Sequence, residues 1–230
     1  MNYIYLWLDL FCISFPFILS FDKKVAFYKK WKSLFPAIAI IGLFFIIWDI
    51  IFTKNGIWEF NEKYLIGTYI YNLPVEEVLF FIFVPYSCVF IYACIKAYFS
   101  SNFLEKFHRK ITLLLLFALP IIAILNADKA YTFYTSFFSW VLIWIQYYIL
   151  KKSYMSWFYV AYIIHLIPFL IINGVLTYKP VVIYNNMENV GIRLYTIPIE
   201  DLLYSLFLFL GNIMIMELLE EKRNTKPFHN

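Results

Sequence analysis

The chain has 230 residues, of which 63% are hydrophobic, 23% aromatic and 15% charged, with a formal net charge of +4. Soluble domains average about 45–50% apolar, so this composition excludes one and indicates an integral membrane protein. Cys12, Cys88 and Cys94 fall inside apolar runs without metal-ligand or CxxC spacing, which makes them small core residues and sets disulfide and zinc chemistry aside.

Runs long enough to cross a hydrocarbon layer of roughly 30 Å predict seven helices. The first, residues 3–21, has no basic segment before it and cations after it, so it is a retained helix and not a cleaved leader. The second covers 33–52 and carries Asp49 near its end. Residues 53–73, rich in Trp, Tyr and Asn, then lead to a third helix at 74–97, opened by Pro74-Val75-Glu76-Glu77. A short fourth helix at 111–126 is followed by a fifth at 130–150 and a sixth at 154–173. A second aromatic segment, 174–197, precedes the seventh helix at 198–219, opened by Pro198-Ile199-Glu200-Asp201. Both aromatic segments are expected to cap a cavity from one side.

The two acidic motifs stand 124 residues apart, and the same offset aligns Asp49 with Asn173, Phe60-Asn61 with Tyr184-Asn185, Gly67 with Gly191, and Tyr71 with Tyr195. Such matches at one offset mark an internal duplication. Helices one to three (residues 1–110) form one unit and helices five to seven (127–230) the other. The linking helix (111–126) restores chain direction, so the repeats are parallel. Parallel repeats place binding sites at their interface, and both acid pairs should face one central cavity at equal depth.

Lys and Arg set orientation in short-loop membrane proteins. Of the 19 cations, Lys23, Lys24, Lys29, Lys30, Lys32, Lys96, Lys106, Arg109, Lys110, Lys151, Lys152, Lys222, Arg223 and Lys226 fall on one side. That side is expected to be cytoplasmic, with the N-terminus outside the cell membrane and both acidic motifs entering from the outer face.

An acid inside a bilayer is costly, about 2.5–3.5 kcal/mol for Asp on insertion scales, and defaults to a functional role. The structural alternative is a helix start, with proline in the first position and a carboxylate on the N-terminal dipole; duplication of the whole motif favours function. Neighbouring helix residues point about 100° apart, so only one acid of each pair can face the cavity fully. Glu76 and Glu200, identical in both repeats, are the expected inward pair, with Glu77 and Asp201 beside them. A carboxyl in a dry cavity beside a second carboxyl stays protonated near neutral pH. It can serve as a Brønsted acid, and a partner that recovers the proton completes acid–base chemistry without a redox cofactor. Trp48, Trp58, Tyr71, Phe80, Tyr195 and Tyr204 are the nearest aromatic candidates for lining such a cavity and stabilising a cation. Asp49 and Asn173 are candidate partners of the acids, and Arg193 is a candidate counterion for Glu200 or Asp201. Asp9, Gln146, His165 and Glu217 are expected to make interhelical hydrogen bonds.

The set Asp49, Gly56-Ile57-Trp58-Glu59-Phe60-Asn61, Gly67, Pro74-Val75-Glu76-Glu77 and Phe80-Phe81, followed by Tyr184-Asn185, Gly191-Ile192-Arg193 and Pro198-Ile199-Glu200-Asp201, resembles the lycopene cyclase domain family. These are integral-membrane carotenoid cyclases of the heterodimeric type, here with both halves fused. The resemblance implies an all-α membrane fold and cyclisation of the ψ-ends of lycopene, taken from the bilayer, usually to β-rings. It carries the acid roles onto Glu76, Glu77, Glu200 and Asp201, and implies no cofactor, metal or nucleic acid; a homo-oligomer is compatible with it. Among rivals, a retinal protein lacks its lysine in the last helix, and a prenyltransferase lacks its aspartate-rich motifs. A small proton-coupled transporter remains the alternative, distinguished by alternating access.

Overall fold

The protein is described here by a computed structural model covering residues 3–225. Its seven helices are α1 (Ile4–Leu19), α2 (Trp31–Lys54), α3 (Val75–Tyr98), α4 (His108–Leu125), α5 (Ala130–Trp144), α6 (Met155–Tyr178) and α7 (Glu200–Asn224). Six helical stretches, including 27–54 and 130–150, are long and apolar enough to cross a membrane. The helix α1, with 16 residues, is shorter than the roughly 20 that a perpendicular span needs.

Short strands form a roof over one end of the bundle: β1 (Trp58–Phe60), β2 (Tyr69–Ile70), β3 (Leu73–Pro74), β4 (Val182–Tyr184), β5 (Arg193–Leu194) and β6 (Ile197–Pro198). The 124-residue offset holds from α2 to α6, from β1 to β4, from β2 to β5 and from β3 to β6, with no residue gained or lost at either end. It also relates 3₁₀ turns at Glu62–Tyr64 and Asn186–Glu188, each opened by an asparagine whose side chain accepts from the amide two residues on. Gly67 and Gly191 take φ of +88° and +75°, a region open to glycine at little cost. Tyr71 and Tyr195 turn the two hairpins at φ of 61° and 60°.

The repeats interlock. Helix α2 packs on α7 and α3 on α6, while α1 packs on α3 as α5 does on α7. The roof is shared as well: β1 pairs antiparallel with β4, Trp58 opposite Tyr184 and Phe60 opposite Val182. Asn61 N donates to Val181 O, and Asn185 N to Ile57 O. These two bonds exchange places under the repeat.

Helix boundaries differ from those expected where polar side chains find partners. Helix α4 starts at His108 because a basic first turn is invisible to an apolar count. Helix α6 continues past Asn173 to Tyr178, with Thr177 Oγ1 donating back to Asn173 O. Helix α7 runs on to Asn224, where Lys30, Lys96 and Lys152 pair with Glu220, Glu217 and Glu221. Residues 145–150 widen into a π turn whose Gln146 bonds Lys152 O and receives the Tyr154 hydroxyl. Lys226 of the expected basic side lies outside the described residues.

Candidate active site

Pro74 and Pro198 do not occupy first helical positions. Each closes a two-residue strand, β3 or β6, because an extended proline paired to the preceding hairpin fixes where the chain turns into the bilayer. Helix α3 therefore begins one residue before Glu76 and α7 at Glu200 itself, and all four carboxyl groups are buried.

Their directions divide the pairs. Glu76 Oε1 accepts the Ile66 amide at 2.6 Å, and Glu200 Oε1 accepts the Val190 amide at 2.8 Å. These contacts are again 124 residues apart; Glu200 Oε1 also receives Thr132 Oγ1 at 2.7 Å. The first acid of each motif thus fastens the roof to its helix, and the second, Glu77 or Asp201, faces a shared cavity of about 60 Å³. The inward pair is Glu77 and Asp201, not Glu76 and Glu200, because each first acid is turned toward free roof amides. Glu200→Ala should therefore act on stability. Two buried donors lose their acceptor at about 1–3 kcal/mol each, lowering the thermal midpoint in detergent, whereas Glu200→Gln keeps a carbonyl and should lose less.

Around Glu77, Tyr5 Oη donates to Oε2 at 2.5 Å, and the Asp49 carboxyl stands beside Glu77 on the same cavity wall. Tyr204 Oη donates to Asp49 Oδ1 at 2.7 Å. Asp201 receives Tyr131 Oη on Oδ1 at 2.5 Å and Tyr184 Oη on Oδ2 at 3.0 Å, an environment suited to a carboxylate. Desolvation in the roof, then the Asp201 carboxyl, pushes the Tyr184 phenol upward, so its hydroxyl stays a donor.

The two halves of the site are chemically unequal. Tyr184 and Tyr204 stand where the first repeat has Phe60 and Phe80, and Asp49 stands where the second has Asn173. The first repeat supplies two neighbouring acids, and the second an acid held by two phenols. Trp58 lies edge-on to Tyr131, Tyr184 and Tyr204, with centroids 5.2, 6.1 and 6.2 Å away.

Of the other expected residues, Asp49, Trp58, Phe80, Asn173 and Tyr204 line the cavity. Trp48 packs on Tyr204 just behind it. Tyr71 and Tyr195 do not line it; as exposed hairpin residues they face away. Asn61 and Asn185 organise the roof turns. Arg193 forms no ion pair with Glu200 or Asp201. Its guanidinium lies over the Tyr184 ring at 5.4 Å and bonds Asn186 Oδ1 and Thr196 O. His165 is a cavity residue as well as a packing one.

Tyr5 and Tyr131 escaped the sequence comparison although each is the second residue of its helix. Helices α1 and α5 begin 126 residues apart, at Ile4 and Ala130. A gap-free comparison at 124 pairs Tyr5 with Lys129 and Tyr131 with Trp7, which hides their equivalence.

The sequence model of the family described as Lycopene cyclase matches residues 2–95 and 128–219. No curated protein and no solved structure matches the chain. The two matched segments correspond to the two repeats and leave out α4, and with them covering most of the chain, the protein belongs to the lycopene cyclase family.

Proposed function

We propose that this protein is a lycopene β-cyclase, a redox-neutral isomerase that converts ψ-ends to β-rings and so yields γ-carotene and β-carotene. The observation that carries the reading is the meeting of two neighbouring carboxyls, Asp49 and Glu77, with a phenol-held acid, Asp201, in one roofed cavity; in this reading the pair holds one proton between its members.

The pair donates its proton to the terminal double bond of the substrate, leaving a tertiary cation. The double bond further along the chain attacks that carbon and closes the ring, moving the cation to a ring carbon. Asp201 then accepts a proton from the ring carbon that bears the polyene, and a ring double bond forms. One proton enters and one leaves, so no electron acceptor is required. Trp58, Tyr131 and Tyr204 offer ring faces to the cation, a contact worth about 2 kcal/mol or more when desolvated, and the roof excludes water that would capture it.

In this reading residues 1–110 and 127–230 are the two units and 111–126 the link, although the boundary at 110 falls inside the first turn of α4. The roof faces outward, with the C-terminus in the cytoplasm, as the distribution of cations favours. Expression in a lycopene-accumulating host should convert the pigment to monocyclic and bicyclic products resolved by chromatography. Unchanged lycopene, with the protein present in the membrane, would refute the proposal.

A further inference from the structure

We infer that a second, apolar cavity between α1, α3 and α6 is the binding channel for the linear polyene of the substrate, through which a chain end reaches the acids from the bilayer. This rests on the cyclase reading.

The channel has a volume of about 200 Å³ and is bounded by Phe11, Cys12 and Phe15 of α1 on one side and by Pro168 and Phe169 of α6 on the other. It adjoins the acid cavity: Phe80, Val84, Cys88, His165, Phe169 and Asn173 line both. Glu77 and Cys88 are 11 residues apart on α3, so the junction extends roughly 16 Å inward from the acids at 1.5 Å per residue. That places its deep end near mid-bilayer, the depth of a carotenoid dissolved among acyl chains.

The walls are mostly apolar, and their polar groups His165 and Asn173 stand at the junction with the acid cavity. Ser87, the one hydroxyl there, already donates to Cys12 O and Phe83 O, so it offers no free donor to a polar ligand. Phe11 and Phe15 are exposed on the outer edge of α1, where only lipid can cover them, so the channel opens sideways to the membrane and not to water. An acyl chain could fill the outer part, but the inner end leads to carboxyls and phenols for which a saturated tail has no use. The acid cavity is the smaller of the two, so a chain end is admitted only as the rings of Phe80 and Phe169 turn aside. These two side chains set the thickness of the end group that passes.

The test uses Glu77→Gln, expected to stop chemistry while leaving the channel intact, expressed in a lycopene-accumulating host and purified in detergent. Lycopene should copurify in stoichiometric amount. Adding Cys12→Trp, which fills the channel without touching the acid cavity, should lower bound lycopene at least tenfold, whereas Leu10→Trp on the lipid face of α1 should not. Should Cys12→Trp fail to accumulate, Cys12→Phe is measured by the same ratio. Equal lycopene in the Cys12 and Leu10 variants overturns the inference, as does copurification of phospholipid alone. The two readings fail separately. Bound lycopene lost in the Cys12 variant, with no rings made by the unaltered chain, keeps the channel and refutes the cyclase. Rings made by the unaltered chain and by Cys12→Trp alike keep the cyclase and refute the channel.

Discussion

Glu77→Gln is expected to reduce ring formation by about 10²–10⁴-fold, the usual contribution of a positioned general acid. The amide keeps the volume of the side chain and can still accept from Tyr5, so packing is retained. What is lost is the acidic proton of the proposed donor, because an amide has none to give to a double bond. Product formation should be followed by chromatography of pigment at equal protein level. Full activity in this variant would remove Glu77 from the chemistry and return attention to Glu76.

A comparable loss is expected for Asp201→Asn, by a different route. Both Asp201 oxygens accept phenol hydroxyls, from Tyr131 and Tyr184. The asparagine amide turns one acceptor into a donor, so one phenol must turn its hydroxyl to accept instead, and the stronger bonds to a carboxylate are lost. It also removes the base that recovers the ring proton. If Asp201 is the acceptor, the cation persists longer in this variant, and the remaining product should include rings with the double bond displaced to another carbon. A variant that is slow but keeps the wild-type ring pattern would reduce Asp201 to a structural group. Because proton donation and proton recovery are assigned to different carboxyls, product formed in heavy water should carry one deuterium per ring in the parent protein, and the fewer rings formed by either variant should carry the same.

The helices and the repeat were legible in the sequence because both depend on local order: apolar length for the spans, and a gap-free offset that carries α2 to β3 onto α6 to β6. The four acids were found for the same reason. Which acid faces inward was not legible. That choice depends on two roof amides, of Ile66 and Val190, whose position is set by folding of the strands and not by any neighbouring residue. Tyr5 and Tyr131 were hidden by a two-residue difference between α1 and α5, and Tyr184 gave its role only once β4 had been laid beside β1. Arg193 shows the converse: a charge close to a motif in sequence looked like a counterion, yet its geometry directs it to a ring face.

The pairing of β1 with β4 has a consequence for the choice between catalyst and carrier. A protein that exposes its centre to each side of the membrane in turn must let its halves rock, and every bond joining them has to break and re-form in each cycle. Here the cover is woven from both halves by main-chain bonds, and α2 with α7 and α3 with α6 clasp beneath it. Movement of one half would tear the cover and unclasp the walls together. The chain is built as a closed vessel, which suits the proposed chemistry: filling from the flank and an intermediate kept dry.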